Sequence, residues 1–136
     1  MIDFNKLEKS LAHLKAQQNN RCALPPEMPT LMREAVDESV IQRFETCYDT
    51  LWKTLRRYLR EELGLAETPA SPKPIFRLAN ENNLLLSDIA HWLEYANARI
   101  ATAHDYSDEK AQAALALMDR FIEDAEALLQ SLTGRR

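Results

Sequence analysis

Between Val36 and Leu59 apolar side chains return at steps of three and four, through Val40, Phe44, Cys47, Tyr48, Leu51, Leu55 and Tyr58. A helix turns about 100° per residue, so this spacing gathers them on one stripe, whereas a strand would split them between two faces. A stripe of that length must be covered by other elements, and the rest of the chain supplies helices for it. Phe4, Leu7, Leu11 and Leu14 make a narrow stripe near the start; Ala114, Leu117, Met118, Phe121, Ile122, Ala125, Leu128, Leu129 and Leu132 make another near the end. Only 2 glycines occur in 136 residues, and β-branched residues are few in the periodic stretches. The pattern predicts an all-α fold: an antiparallel bundle of four long helices plus one short helix, in a single domain spanning 1–136.

Breakers divide the chain. The first helix gives way to the stretch from Gln17 to Pro26, where two adjacent prolines remove donors. Thr30 places a hydroxyl at the start of the second helix, with Glu34, Asp37 and Glu38 facing the positive end of its dipole. That helix runs to about Leu63, where Gly64 stops it. A proline-rich connection covers 66–74; a short helix follows from Pro72 to Glu81, then a break at Asn82-Asn83. A helix from Leu84 to about His104 buries Leu93, Ala96, Ile100 and Ala103, and the last helix opens at Ser107-Asp-Glu-Lys and ends before Gly134.

Several classes of function are excluded or bounded. A net charge of -4 argues against a surface coated by nucleic acid, while leaving room for a local basic patch. Lys53, Arg56, Arg57 and Arg60 form such a stripe, either a solvated face, an RNA backbone track or a docking surface for an acidic partner. Cys22 and Cys47 belong to no CxxC pair and read as reduced thiols. No metal and no cofactor are expected: Asp88 and His91 stand three apart without further ligands at suitable spacing. His13 lies off the first stripe and faces solvent. The start lacks a basic region followed by an apolar one, and no stretch approaches the roughly 20 apolar residues of a membrane span, so a soluble, cytoplasmic protein is expected. There is no glycine-rich phosphate loop or nucleotidyltransferase-like acidic pair, so the chain is not expected to transfer nucleotides itself.

The chemistry-bearing segment is Arg99-Ile-Ala-Thr-Ala-His104-Asp-Tyr106. Guanidinium recognises phosphate with a planar fork of donors, and imidazole gives or takes a proton near neutral pH; together they suit phosphodiester cleavage without a metal. On a straight helix His104 lies about 140° around from Arg99, so the two share a site only where the helix ends or bends, or across a dimer interface. Tyr95 falls on the same edge as Arg99, with its ring placed to hold the guanidinium, and Tyr95 and Asp105 are taken as supporting residues. The residues alone also fit a plainer reading. Arg99 would stack on Tyr95 and make a surface ion pair, His104 would be a cation at a helix C-terminus, and Tyr106 would cover the core.

Resemblance bears on that choice. The segment Val40-Ile-Gln-Arg-Phe-Glu-Thr-Cys-Tyr-Asp-Thr-Leu-Trp-Lys-Thr-Leu-Arg-Arg-Tyr-Leu59 resembles the long helix of the nucleotidyltransferase substrate-binding proteins. Ser71-Pro72, the Trp92 helix and the Arg99, His104, Tyr106 spacing resemble that family's second half. These proteins are grouped with the HEPN toxins of HEPN/MNT toxin–antitoxin pairs. The resemblance implies an all-α bundle that forms a homodimer, with an R-x(4-6)-H motif from each subunit meeting at the interface as a metal-independent ribonuclease site. It also implies a cognate minimal nucleotidyltransferase acting as antitoxin by transferring AMP to a tyrosine. Arg99 and His104 match the ribonuclease motif, and Tyr106 matches the acceptor. Two positions depart from the family: Ile100 stands where a polar residue, commonly Asn, follows the arginine, and Ala103 precedes the histidine. Both remove hydrogen-bonding groups, which leaves open a non-catalytic substrate-binding or regulatory subunit of a nucleotidyltransferase complex.

Overall fold

The computed structural model describes residues 2–104 and 108–134, with the backbone alone for His104. Among them are α1 (Asn5–Cys22), α2 (Thr30–Glu61), α3 (Pro72–Glu81), α4 (Ile89–His104), α5 (Asp108–Leu115) and α6 (Met118–Thr133), and no strand. The 32-residue α2 is the spine, about 48 Å long, and each of the other five helices packs against it. Its buried face carries Val40, Ile41, Phe44, Cys47, Tyr48, Leu51, Leu55 and Leu59, while Val36 and Tyr58 at the edges are half-buried. Rings fill the centre: Phe121 meets Phe44 and Tyr95 edge-on, each at 5.0 Å between centroids, and Phe76 stacks on Trp92 at 5.3 Å.

Tertiary partners move several boundaries. α1 continues through Gln17–Cys22 because its polar residues are satisfied across the bundle: buried Gln18 donates to Asp119 at 3.0 Å and Arg21 pairs with Asp37 at 3.0 Å. Thr30 is the first residue of α2 and caps nothing with its hydroxyl; Pro29 holds the cap position in an extended conformation. Gly64 does stop α2, at φ +67°, and the Leu65 amide returns to the Leu59 carbonyl at 3.1 Å. α4 begins at Ile89, not Leu84, since Asn83 turns the chain at φ +60° and the Asp88 carboxylate accepts the Ala90 amide at 2.9 Å. The final helical stretch is two helices, broken by a tight turn in which the Leu117 amide bonds the Ala114 carbonyl. Both sides of that turn bury apolar residues, Ala111, Ala114 and Leu115 before it and Met118, Phe121 and Ile122 after it.

The core face of α4 also differs from its expected stripe. Trp92, Tyr95, Ala96 and Thr102 are buried, Leu93 is half-buried, Ile100 is 50% exposed and Ala103 is exposed. Aromatic rings decide the rotation: Trp92 and Tyr95 bury far more area against Phe76 and Phe121 than Leu93 and Ile100 could. Ile100 is thereby turned outward beside Arg99.

Candidate functional site

Arg99 projects from the last turns of α4 onto α2, where two carboxylates one helical turn apart receive it. Its Nε and Nη2 donate to the two oxygens of Asp49 at 3.2 and 3.1 Å, and its Nη1 donates to Glu45 at 3.1 Å. The Thr102 hydroxyl donates to the same Glu45 oxygen at 2.8 Å, fixing it from the other side. Its hydrogen bonds to Asp49 hold the guanidinium above its ordinary pKa against the cost of burial, and the charges of Asp49 and Glu45 add to them. A guanidinium has five N–H donors, and these three bonds leave one free on each terminal nitrogen. The side chain retains 27% exposure, enough to be reached from solvent.

Beside it opens a groove of about 610 Å³ between α2, the start of α3 and α4. Trp52, Pro72, Pro74 and Ile100 give it apolar walls; Lys73, Arg77 and Arg99 give it cations. The aromatic ring next to the guanidinium on this side is Tyr48, whose hydroxyl is kept protonated by burial and by the charge of Asp49. Tyr95 does not hold Arg99. Its hydroxyl donates to Asp124 at 2.5 Å and accepts from Arg120 Nε at 2.9 Å, and Arg120 lies over its ring at 5.1 Å. Burial and the Asp124 hydrogen bond keep that phenol protonated too. Asp124 also accepts from Ser87 at 2.6 Å and faces His91 Nδ1 at 3.2 Å, so it pins the start of α4 to α6.

The other expected residues fall as follows. His104 is the last described residue of α4. The His104 side chain, Asp105 and Tyr106 lie outside the described residues. Lys53, Arg57 and Arg60 are exposed on α2, with Arg57 paired to Glu61 at 3.0 Å, whereas Arg56 is half-buried. Asp49, Glu45 and Thr102 are the site residues the sequence reading missed. Their only local signal is two acids four apart on one edge of the second helix, and nothing in the sequence says which cation crosses the bundle to meet them.

A helical bundle built on one long spine, with an arginine near the end of its fourth helix beside an open groove, defines the class: a nucleotidyltransferase substrate-binding type of fold. Residues 2–134 match the family described as nucleotidyltransferase substrate binding protein like, and the chain belongs to that family. It is 29% identical over 109 residues to the probable ribonuclease HepT of Haemophilus influenzae, covering 79% of this chain and 74% of that one. Its fold is similar to HI0074 of Haemophilus influenzae, described as the fold of a substrate binding domain of a nucleotidyltransferase. The TM-score is 0.80, with 26% identity over 96% of this chain and 99% of that one. A protein of Thermus thermophilus is similar at TM-score 0.77 and 33% identity, over 93% and 98% of the two chains. No described helix is long and apolar enough to cross a membrane.

Proposed function

We propose that the chain is a HEPN-type toxin: a metal-independent RNA endonuclease that acts as a homodimer and is neutralised when a cognate minimal nucleotidyltransferase transfers AMP to Tyr106. The observation that carries this reading is the position of Arg99, five residues before His104 on α4 and on the rim of an open groove, in a chain similar to a probable ribonuclease. His104 would take the proton of the ribose 2'-hydroxyl or give one to the leaving 5'-oxygen, the acid–base chemistry an imidazole can supply. Arg99, its plane fixed by Asp49 and Glu45, would turn its two remaining N–H groups toward the phosphoryl oxygens. The two carboxylates oppose an incoming phosphate; Lys73 and Arg77 in the groove offset them.

The dimer reading rests on the outward apolar lip of the groove, formed by Ile100, Ala103 and half-buried Trp52. A second copy covering this lip would bring two Arg99–His104 ends together and exclude water from them. AMP on Tyr106 would add a bulky anion next to Arg99 and repel RNA phosphate.

Incubating total RNA with the purified chain and with its Arg99→Ala and His104→Ala variants tests the enzyme. Cleavage that falls by about a hundredfold or more in both is expected, as for loss of a transition-state donor or an acid–base group. Equal RNA integrity in all three overturns the ribonuclease. Mass measurement after incubation with the nucleotidyltransferase and ATP tests the acceptor: additions in units of AMP should vanish in Tyr106→Phe.

A second reading, a non-catalytic subunit that binds or regulates the nucleotidyltransferase, is favoured by the engagement of Arg99 with two carboxylates and by Ile100 beside it. Co-purification with the nucleotidyltransferase in the absence of any RNA cleavage would select it.

A further inference from the structure

A second groove, of about 470 Å³, lies between α1 and α2 and shares no lining residue with the one beside Arg99. Lys6, Lys9 and His13 line it from α1, and Arg43 and Gln42 from α2; no carboxylate is among its lining residues. In a chain of net charge -4 that is a local inversion of sign. Several cations elsewhere are matched: Lys15 with Glu126, Arg21 with Asp37, Arg57 with Glu61, Arg99 with Asp49 and Glu45. Among the described residues Lys6, Lys9, His13 and Arg43 form no ion pair, and Arg43 is instead aimed by one bond from its Nη1 to the His13 carbonyl at 3.2 Å.

The groove opens onto a longer ridge. Arg43, Thr46, Thr50, Lys53, Arg57 and Arg60 follow one another along α2 at alternating steps of three and four, so they share one face for about 25 Å. Thr46 and Thr50 direct their protons to carbonyls one turn back, at 3.2 and 2.9 Å, which leaves the cations as the donors of this face. The two grooves share a wall: Asp49 lines that of Arg99 and the adjacent Thr50 lines this one.

We infer that the α1–α2 groove and the α2 ridge bind the phosphate backbone of a single-stranded RNA, as a track separate from the Arg99 site. A groove of unpaired cations follows a polyanion without reading its sequence. An acidic protein partner fits less well, because stable protein interfaces need buried aromatic or aliphatic anchors and this lining has none. The choice of RNA as the polyanion rests on the ribonuclease reading; the groove itself does not.

The test is fluorescence anisotropy of a labelled oligouridylate on the His104→Ala protein, which separates binding from cleavage, with and without Lys9→Gln and Arg43→Gln. Both substituted side chains are exposed, and a matching thermal melt confirms the fold. The expected result is about tenfold weaker binding in the double variant, with the slope of log affinity against log salt smaller by about 1.4, as for two lost phosphate contacts on a single strand. A Lys6→Gln variant should weaken binding in the same sense. Unchanged affinity and slope overturn the inference, and so does polyglutamate that displaces the RNA at equal charge concentration, which would make the face a dock for an acidic protein. If the oligonucleotide binds through these residues but no RNA is ever cut by the unsubstituted chain, the ribonuclease reading fails while the track stands.

Discussion

Arg99 is both the best candidate for chemistry and a strut between α4 and α2. Removing Asp49 should show the strut: Asp49→Ala, at a half-buried pair, is expected to cost about 1–2 kcal/mol, seen as a lower urea midpoint with unchanged slope. The thiols separate cleanly by burial. Cys22 is exposed and Cys47 is buried beneath Ser10, so a thiol reagent should label one site quickly and the second only on unfolding. Burial pushes the Cys47 thiol up to about 12. Folded Cys47 therefore keeps its proton where an unfolded thiol has lost it, and its contribution is full below about pH 8.5 and lost as pH rises toward 12. Stability should fall above about pH 9, and Cys47→Ala should reduce that slope by up to ~1.4 kcal/mol per pH unit in urea titrations. At this scale the sequence named Arg99 from its side-chain chemistry, but Asp49 and Glu45 lie about fifty residues away, and no spacing rule links them.

Among the elements, those delimited by proline or by φ-positive residues were legible. Pro72 opens α3 and Gly64 closes α2, because ring geometry and a missing Cβ act locally. An alanine at Gly64 would meet open space, so Gly64→Ala should cost only the backbone strain of a left-handed residue, about 1 kcal/mol in a chemical denaturation curve. The start of α4 and the break between α5 and α6 were misjudged for the opposite reason. Leu84 and Leu85 are apolar enough to continue a helical pattern, yet they pack against the core outside any helix, and no breaker residue stands at Ala116-Leu117.

For the molecule as a whole, stability resides in the ring cluster around Phe121, which touches Phe44, Trp92 and Tyr95. Phe121→Ala should cost about 3–5 kcal/mol, measured by urea denaturation, because the surrounding rings cannot close the cavity. Ile100→Asp should leave that core intact, since Ile100 is half exposed, and should turn a dimer into a monomer by light scattering if the lip beside Arg99 is the seam.

Taken alone, the sequence determined the helical class, the spine along α2 and the candidacy of Arg99, because periodicity and side-chain chemistry are written residue by residue. The tertiary structure decided which face of α4 turns inward, which carboxylates hold Arg99, and that Lys6, Lys9, His13 and Arg43 meet in one groove. Those outcomes depend on which rings bury most area and which charges meet across the bundle, and such choices are made between elements, not within them.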